Sequence, residues 1–131
     1  DENSTSYATV NLKTGNAADT TAFWKFDCSA IPADATIVSV ECRAKAMTQQ
    51  AGGNRVTTYE MQLYKGTTTA KGSSTQLTTS AAAYDLTCGT WTRAELDDIN
   101  LRLHAVRGKN STTTTYYLRF YGATLTVKYR V

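Results

Sequence analysis

Hydrophobic and polar residues alternate along most of the chain with a period of two, in segments of about six to ten residues. Clusters of Gly, Asn, Asp, Ser and Thr separate these segments. Alternation of this kind is typical of β-strands that have one buried and one exposed face. The pattern therefore predicts eight strands, at residues 6–12, 21–28, 36–46, 56–64, 82–87, 99–107, 115–121 and 123–130.

The apolar positions within these segments predict which side chains face the core. Three segments alternate most regularly, and their predicted inward residues are Val38, Val40, Cys42, Ala44 and Ala46; Ile99, Leu101, Leu103 and Ala105; and Leu125, Val127 and Tyr129. The residues between them are mostly polar or charged, as expected for sheets with one solvated face. We therefore expect an all-β fold: an antiparallel β-sandwich of about eight strands around one core.

The connection at residues 67–80 is long, rich in Thr and Ser, and lacks apolar alternation. Its composition fits two structures equally well. One is an ordered surface loop, and the other is a short strand at the edge of a sheet.

One short helix is predicted near residues 92–98. Thr92 and Glu95 have the spacing of a capping box, in which each side chain accepts a hydrogen bond from the other residue's backbone amide. Trp91 and Leu96 flank the box at the positions of a hydrophobic staple. We therefore expect a helix of one or two turns and a structural role for Trp91.

Length, charge and the lack of a long apolar run limit the classes of function that fit the chain. The 131 residues fit a single domain spanning residues 1–131. A start at Asp1 without an initiator Met indicates either a domain excised from a longer protein, which we favour, or a processed fragment. The net charge is only +3, and the Lys and Arg residues are dispersed, so we expect no nucleic-acid partner. No apolar run approaches the ~20 residues that span a bilayer, so we expect no membrane contact.

Candidate catalytic chemistry is sparse. His104 is the only histidine, and the three cysteines, Cys28, Cys42 and Cys88, have no spacing typical of a zinc site. The carboxylates form no convincing pair for acid–base work. We therefore predict no catalytic residues, no metal and no cofactor. The cysteines are interpreted as buried free thiols, with a Cys28–Cys42 bridge as the alternative.

Several aromatic residues fall on the polar side of the alternation. Phe23, Tyr64, Tyr117 and Tyr121, with Arg119 beside the last two, form a candidate ligand platform, since aromatic rings stack on sugars and anchor protein interfaces. Two alternatives remain. In one, the rings pack beneath loops; in the other, both faces of a strand are buried within a larger assembly.

Three stretches of the chain resemble two phrases of a known family. Residues 26–40 read FDCSAIPADATIVSV, which resembles the phrase FDLSSIPxGATIxSV of β-sandwich modules in bacteriophage virion proteins and some bacterial surface proteins. Residues 90–96, TWTRAEL, and 120–129, FYGATLTVKY, resemble the ending WTxAEL … YGAxLTVxY of the same modules. Cys28 replaces the Leu of the family phrase and keeps its apolar character.

The resemblance implies a jelly-roll topology similar to that of carbohydrate-binding modules. It also implies a non-enzymatic structural module of a phage particle, such as a capsid decoration, a head fibre or a tail-associated domain. The expected location is the virion surface, and the expected partners are other virion proteins or further copies of the chain. The alternative is an adhesin domain, on a bacterial surface or secreted, that recognises bacterial, host or mucosal glycans.

Overall fold

The computed structural model describes residues 8–12, 18–48, 56–107 and 116–131. Its strands are β1 (Ala8–Leu12), β2 (Ala18–Lys25), β3 (Thr36–Thr48), β4 (Val56–Lys65), β5 (Thr69–Gln76), β6 (Ala82–Leu86), β7 (Ile99–Arg107) and β8 (Tyr116–Arg130). A five-residue 3₁₀ turn at Ala94–Asp98 is the only helical element in these ranges. No helix among the described residues has the length and hydrophobicity to cross a membrane.

The strands form two antiparallel four-stranded sheets that pack against each other. The first sheet has the order β1-β8-β3-β6 and the second has the order β2-β7-β4-β5. Strand β1 pairs with β8, β2 with β7, β3 with β6 and β4 with β5, as in one long hairpin wrapped around a core. This arrangement is a jelly roll, which confirms the predicted β-sandwich.

The core lies between the two sheets, and β7, an inner strand of the second sheet, contributes a layer of side chains to it. Ile99, Leu101, Leu103 and Ala105 are fully buried, as their alternation predicts. Burial of these residues stabilises the fold by about 25 cal/mol for each Å² of apolar area removed from water. The neighbouring strand β4, the first sheet and the connections contribute further buried residues: Val40, Cys42, Ala44, Ala46, Tyr59, Met61, Leu63, Leu77, Leu86, Leu96, Leu118 and Phe120.

Strand β8 replaces two predicted strands, 115–121 and 123–130, with one continuous strand. The chain does not turn at Gly122. Instead, Lys45 of β3 pairs with Gly122 and the next residue, Ala46, pairs with Phe120, so Tyr121 is an extra residue in a β-bulge. The extra residue changes the inward phase from even to odd positions, which is why the alternation looked like two separate strands.

Two predicted core residues are exposed. Val38 is 63% exposed, because the register of β3 against β8 shifts between Ile37 and Ser39, and Ile37 packs against the core instead. Tyr129 is 43% exposed. It pairs with Ile37, close to the same irregularity and near the end of the long strand.

The boundaries of the other strands differ in specific ways. The connection at 67–80 contains β5, an eight-residue edge strand that pairs with β4, so the edge-strand alternative is confirmed. Strand β2 covers Ala18–Lys25 rather than 21–28. It ends before Asp27, whose carboxylate accepts a hydrogen bond from the Ser29 amide at 2.9 Å and so turns the chain. Of the first predicted strand, residues 6 and 7 lie outside the described ranges.

The hydrogen bonds of the predicted capping box are confirmed. The Thr92 amide donates to Glu95 Oε1 at 3.0 Å, and the Glu95 amide donates to Thr92 Oγ1 at 3.2 Å. Trp91 and Leu96 are both buried in the core. The Trp91 indole also donates to the Cys88 carbonyl at 2.7 Å, so its polar atom is satisfied inside the protein.

Candidate functional site

The five side chains of the predicted ligand platform do not form one platform. Tyr117, Arg119 and Tyr121 belong to β8 and lie on the outer face of the first sheet. Phe23 belongs to β2 and Tyr64 to β4, and both lie on the outer face of the second sheet. The alternation predicted that these residues face away from the core, but it carries no information on which sheet holds each strand.

On the first sheet the side chains form what we call the tyrosine cluster: Tyr117, Arg119 and Tyr121 of β8 with Lys45 and Met47 of β3. The Arg119 guanidinium lies 4.5 Å from the Tyr117 ring centroid and donates to its hydroxyl at 2.8 Å. Lys45 Nζ lies 4.9 Å from the Tyr121 ring centroid, and the Tyr121 hydroxyl donates to Met47 Sδ at 3.4 Å. These contacts hold both rings in fixed positions.

A groove lies on the same sheet as the tyrosine cluster. It has a volume of about 520 Å³, and its polar lining comes from Glu41, Arg43, Asp85, Thr124 and Thr126. Arg43 donates to Asp85 at 3.0 Å across strands β3 and β6. Lys45 follows Arg43 by two residues on the same face, so the groove and the cluster are neighbours. A volume in this range suits a small ligand, and hydroxyls, carboxylates and a guanidinium provide donors and acceptors.

The outer face of the second sheet carries the other two predicted aromatics. The rings of Phe23 and Tyr64 meet edge to face, with centroids 5.9 Å apart and an interplanar angle of 67°. The Arg102 guanidinium of β7, the strand between them, lies 4.5 Å from the Tyr64 centroid. We call these three residues the aromatic pair and its arginine.

A polar network extends from Arg102 along the second sheet. Arg102 Nη2 donates to Glu60 Oε1 at 3.0 Å, and His104 Nδ1 lies 3.1 Å from the same oxygen. His104 Nε2 lies 2.7 Å from Asp19 Oδ1. The side chains of Arg102, Glu60 and His104 are all less than 20% exposed. The only histidine of the chain is therefore held between two carboxylates, which the sequence pattern did not indicate.

The three cysteines are free and buried, which agrees with the favoured interpretation and not with a Cys28–Cys42 bridge. Burial raises the pKa of the Cys42 thiol to about 12, and it also raises the pKa of Cys28 and Cys88. Thiols of this kind are poor nucleophiles. Within the described ranges, no group of three or more His, Cys, Asp or Glu residues is arranged to hold a metal ion.

Arg93 joins two of the stretches that resemble virion modules. Its Nε donates to the carbonyls of Ile31 and Pro32, at 3.0 and 3.1 Å, and its Nη1 contacts Asp97 at 2.7 Å. The alternation of apolar and polar residues could not predict this contact, because Arg93 is 61 residues from Pro32 in sequence. The two stretches therefore form one structural unit at one end of the sandwich.

Comparison of the chain with family models, with curated proteins and with solved structures gave no match. The functional interpretation therefore rests on the geometry of the two outer faces and on the resemblance of the sequence stretches.

Proposed function

We propose that the chain is a non-enzymatic structural module displayed on the surface of a bacteriophage particle, as a capsid decoration, head fibre or tail-associated domain. The observation that carries this proposal is the resemblance of residues 26–40, 90–96 and 120–129 to the phrases of virion modules. Two of these stretches also lie together in the fold, since Arg93, at a position that the family phrase leaves open, donates to the Ile31 and Pro32 carbonyls.

A non-enzymatic role is consistent with the use of the reactive side chains. His104 contacts Glu60 and Asp19 within the second sheet, and the cysteine thiols are buried with raised pKa values. A general base must reach a proton on a bound substrate, and a nucleophilic thiol must ionise. We accordingly propose that the domain acts by binding and assembly.

The proposal is tested on phage particles produced by a host that carries the gene for this chain. Particles are banded in a density gradient and labelled with gold-conjugated antibody against the domain, and particles from a deletion of the gene serve as the control. We expect the chain to co-band with the particles and the label to lie on their outside. Recovery of the chain only in the bacterial envelope or the medium would overturn the proposal.

Carbohydrate recognition is a second candidate function, favoured by the groove beside the tyrosine cluster. Tyr117 and Tyr121 provide partly exposed rings, each with a cation near its centroid, and the groove provides hydroxyls and charged groups at a volume of about 520 Å³. Sugars are bound by this combination of apolar rings and directional polar groups. Because the contact area is small, we expect affinities per domain of ~mM to μM, with avidity from many copies.

Glycan binding is measured with the domain displayed in multivalent form on a bacterial and mucosal glycan array. The double variant Tyr117→Ala/Tyr121→Ala is expected to lose retention, whereas the matched double variant Phe23→Ala/Tyr64→Ala, which alters the opposite face, is expected to keep it. Equal loss in both variants, with both still folded, would contradict a site on the first sheet. If the parent domain binds no glycan, carbohydrate recognition is ruled out and only the structural role on the particle remains.

A further inference from the structure

The outer face of the second sheet has the composition of a protein interface. Its centre is the aromatic pair and its arginine, Phe23, Tyr64 and Arg102, and residues of these types dominate the energy of protein contacts. The charge of Arg102 is balanced locally by Glu60. The centre of the face is therefore aromatic and carries little net charge.

The same face is already ordered before any partner binds. Glu60 holds Arg102 and His104, and the Gln62 side chain donates to the Gly72 carbonyl at 2.8 Å. Side chains that are fixed in the free protein lose little conformational entropy on association. A partner with a flat, complementary surface can therefore dock without rearranging this sheet.

The charged residues of the edge strand β2 indicate which partner fits this face. Asp19 lies near one end of β2 and Lys25 at the other, about 20 Å apart at ~3.3 Å per residue. Both side chains are largely exposed, with 68% and 60% of their surface accessible, and Asp19 also contacts His104 Nε2 at 2.7 Å. Lys25 has only a loose contact with Asp98, at 3.9 Å, and exposed pairs of this kind contribute little.

A strand that is acidic at one end and basic at the other complements an antiparallel copy of itself. We propose that two copies of the chain associate through the outer faces of their second sheets, about a two-fold axis that crosses the strands. Lys25 of each copy then lies against Asp19 of the other copy, and Phe23 lies close to the axis. Such an interface is isologous, so each complementary contact occurs twice.

The size of the face sets the expected strength of the dimer. Four strands at ~4.8 Å spacing and eight residues at ~3.3 Å give a footprint of roughly 500 Å² per copy. This is below the ~800 Å² per partner of a standard stable interface, so we expect a transient dimer with a dissociation constant in the ~μM range or weaker. The inference concerns the isolated chain in solution and does not depend on the proposed function.

The test uses charge reversal and sedimentation velocity of the folded chain at concentrations up to about 1 mM, which covers the expected range of dissociation constants. The parent is expected to self-associate with increasing concentration. Asp19→Lys and Lys25→Asp should each weaken association about tenfold or more, because each places like charges in contact twice. An equimolar mixture of the two variants should restore a dimer, which native mass spectrometry identifies as the heterodimer.

Lys128→Asp is the matched control, since Lys128 is an exposed lysine on the first sheet, and it should leave association unchanged. Thermal denaturation checks that each variant is folded. A parent that stays monomeric at every concentration would overturn the proposal. The same conclusion follows if single reversals have no effect, or if the mixture of folded variants does not associate.

Discussion

Among single residues, Gly72 allows β5 to pack closely against the connection that follows β6. Its φ is +78°, and a Cβ at this position would lie 2.0 Å from the Thr87 carbonyl oxygen. Gly72→Ala therefore forces a residue with a Cβ into the left-handed backbone region and places that Cβ against the Thr87 carbonyl. We expect it to destabilise the domain by roughly 2–5 kcal/mol. Chemical denaturation measures this change.

Gly66→Ala is the comparison for that substitution. Gly66 also has a positive φ, +63°, but the nearest atom to its Cβ would be a carboxylate oxygen of Asp98 at 3.0 Å, which can move. We expect a smaller loss of about 1–2 kcal/mol. Equal losses at the two glycines would show that close packing against Thr87 is not the controlling factor.

Glu95 links stability to pH at the residue scale. The hydrogen bond from the Thr92 amide, followed by the one from Lys71, holds the pKa of the Glu95 carboxyl below its ordinary value of 4.5. The folded state therefore binds this proton less readily than the unfolded state does. The stabilisation that the Glu95 carboxylate gives the folded state is complete above its ordinary pKa and is lost as pH falls through its pKa in the folded state. We expect the urea midpoint to decline below about pH 5 less steeply in Glu95→Gln than in the parent. Parallel declines would contradict this role.

At the scale of elements, the 3₁₀ turn and β5 meet at Trp91. The indole is buried, donates to the Cys88 carbonyl at 2.7 Å, and has Lys71 Nζ 4.9 Å from its ring centroid. Trp91→Ala should destabilise the domain by ~3–5 kcal/mol through a cavity and loss of the staple. Trp91→Phe keeps most of the packing and should cost less. Unchanged stability of Trp91→Ala with loss of ligand binding would mean that Trp91 is functional.

The elements also show what the sequence could predict. The boundaries of β7 were predicted as observed, because apolar residues alternate strictly from Ile99 to Ala105, and these apolar residues are fully buried. Strand β5 could not be distinguished from a loop, because an exposed edge strand needs no apolar alternation. The bulge at Tyr121 changes the phase of β8 without a turn residue, so periodicity alone divided the strand in two.

At the scale of the whole molecule, one core holds both sheets together. Leu103 is fully buried at the centre of β7, so Leu103→Asp places a carboxylate among apolar side chains with no partner. We expect loss of cooperative unfolding in thermal denaturation, whereas the volume-conserving Leu103→Met should keep a sharp transition. A sharp transition in Leu103→Asp would contradict the assignment of a single core.

The arrangement of the candidate site belongs to the same scale. The sequence indicated that Phe23, Tyr64, Tyr117 and Tyr121 face outward, because each lies opposite an apolar neighbour on its strand. Which of these residues meet depends on strand order, and strand order follows from the pairing of distant segments. The network around Glu60 and His104 depends on the same pairing, since the two residues are 44 positions apart in sequence.

Electron cryomicroscopy of intact phage particles shows directly whether the chain is a surface module. We expect density for the eight-stranded sandwich on the outside of the particle, with the tyrosine cluster and groove of the first sheet directed toward solvent. Particles that contain the chain only inside the shell, or that lack it entirely, would contradict a surface module.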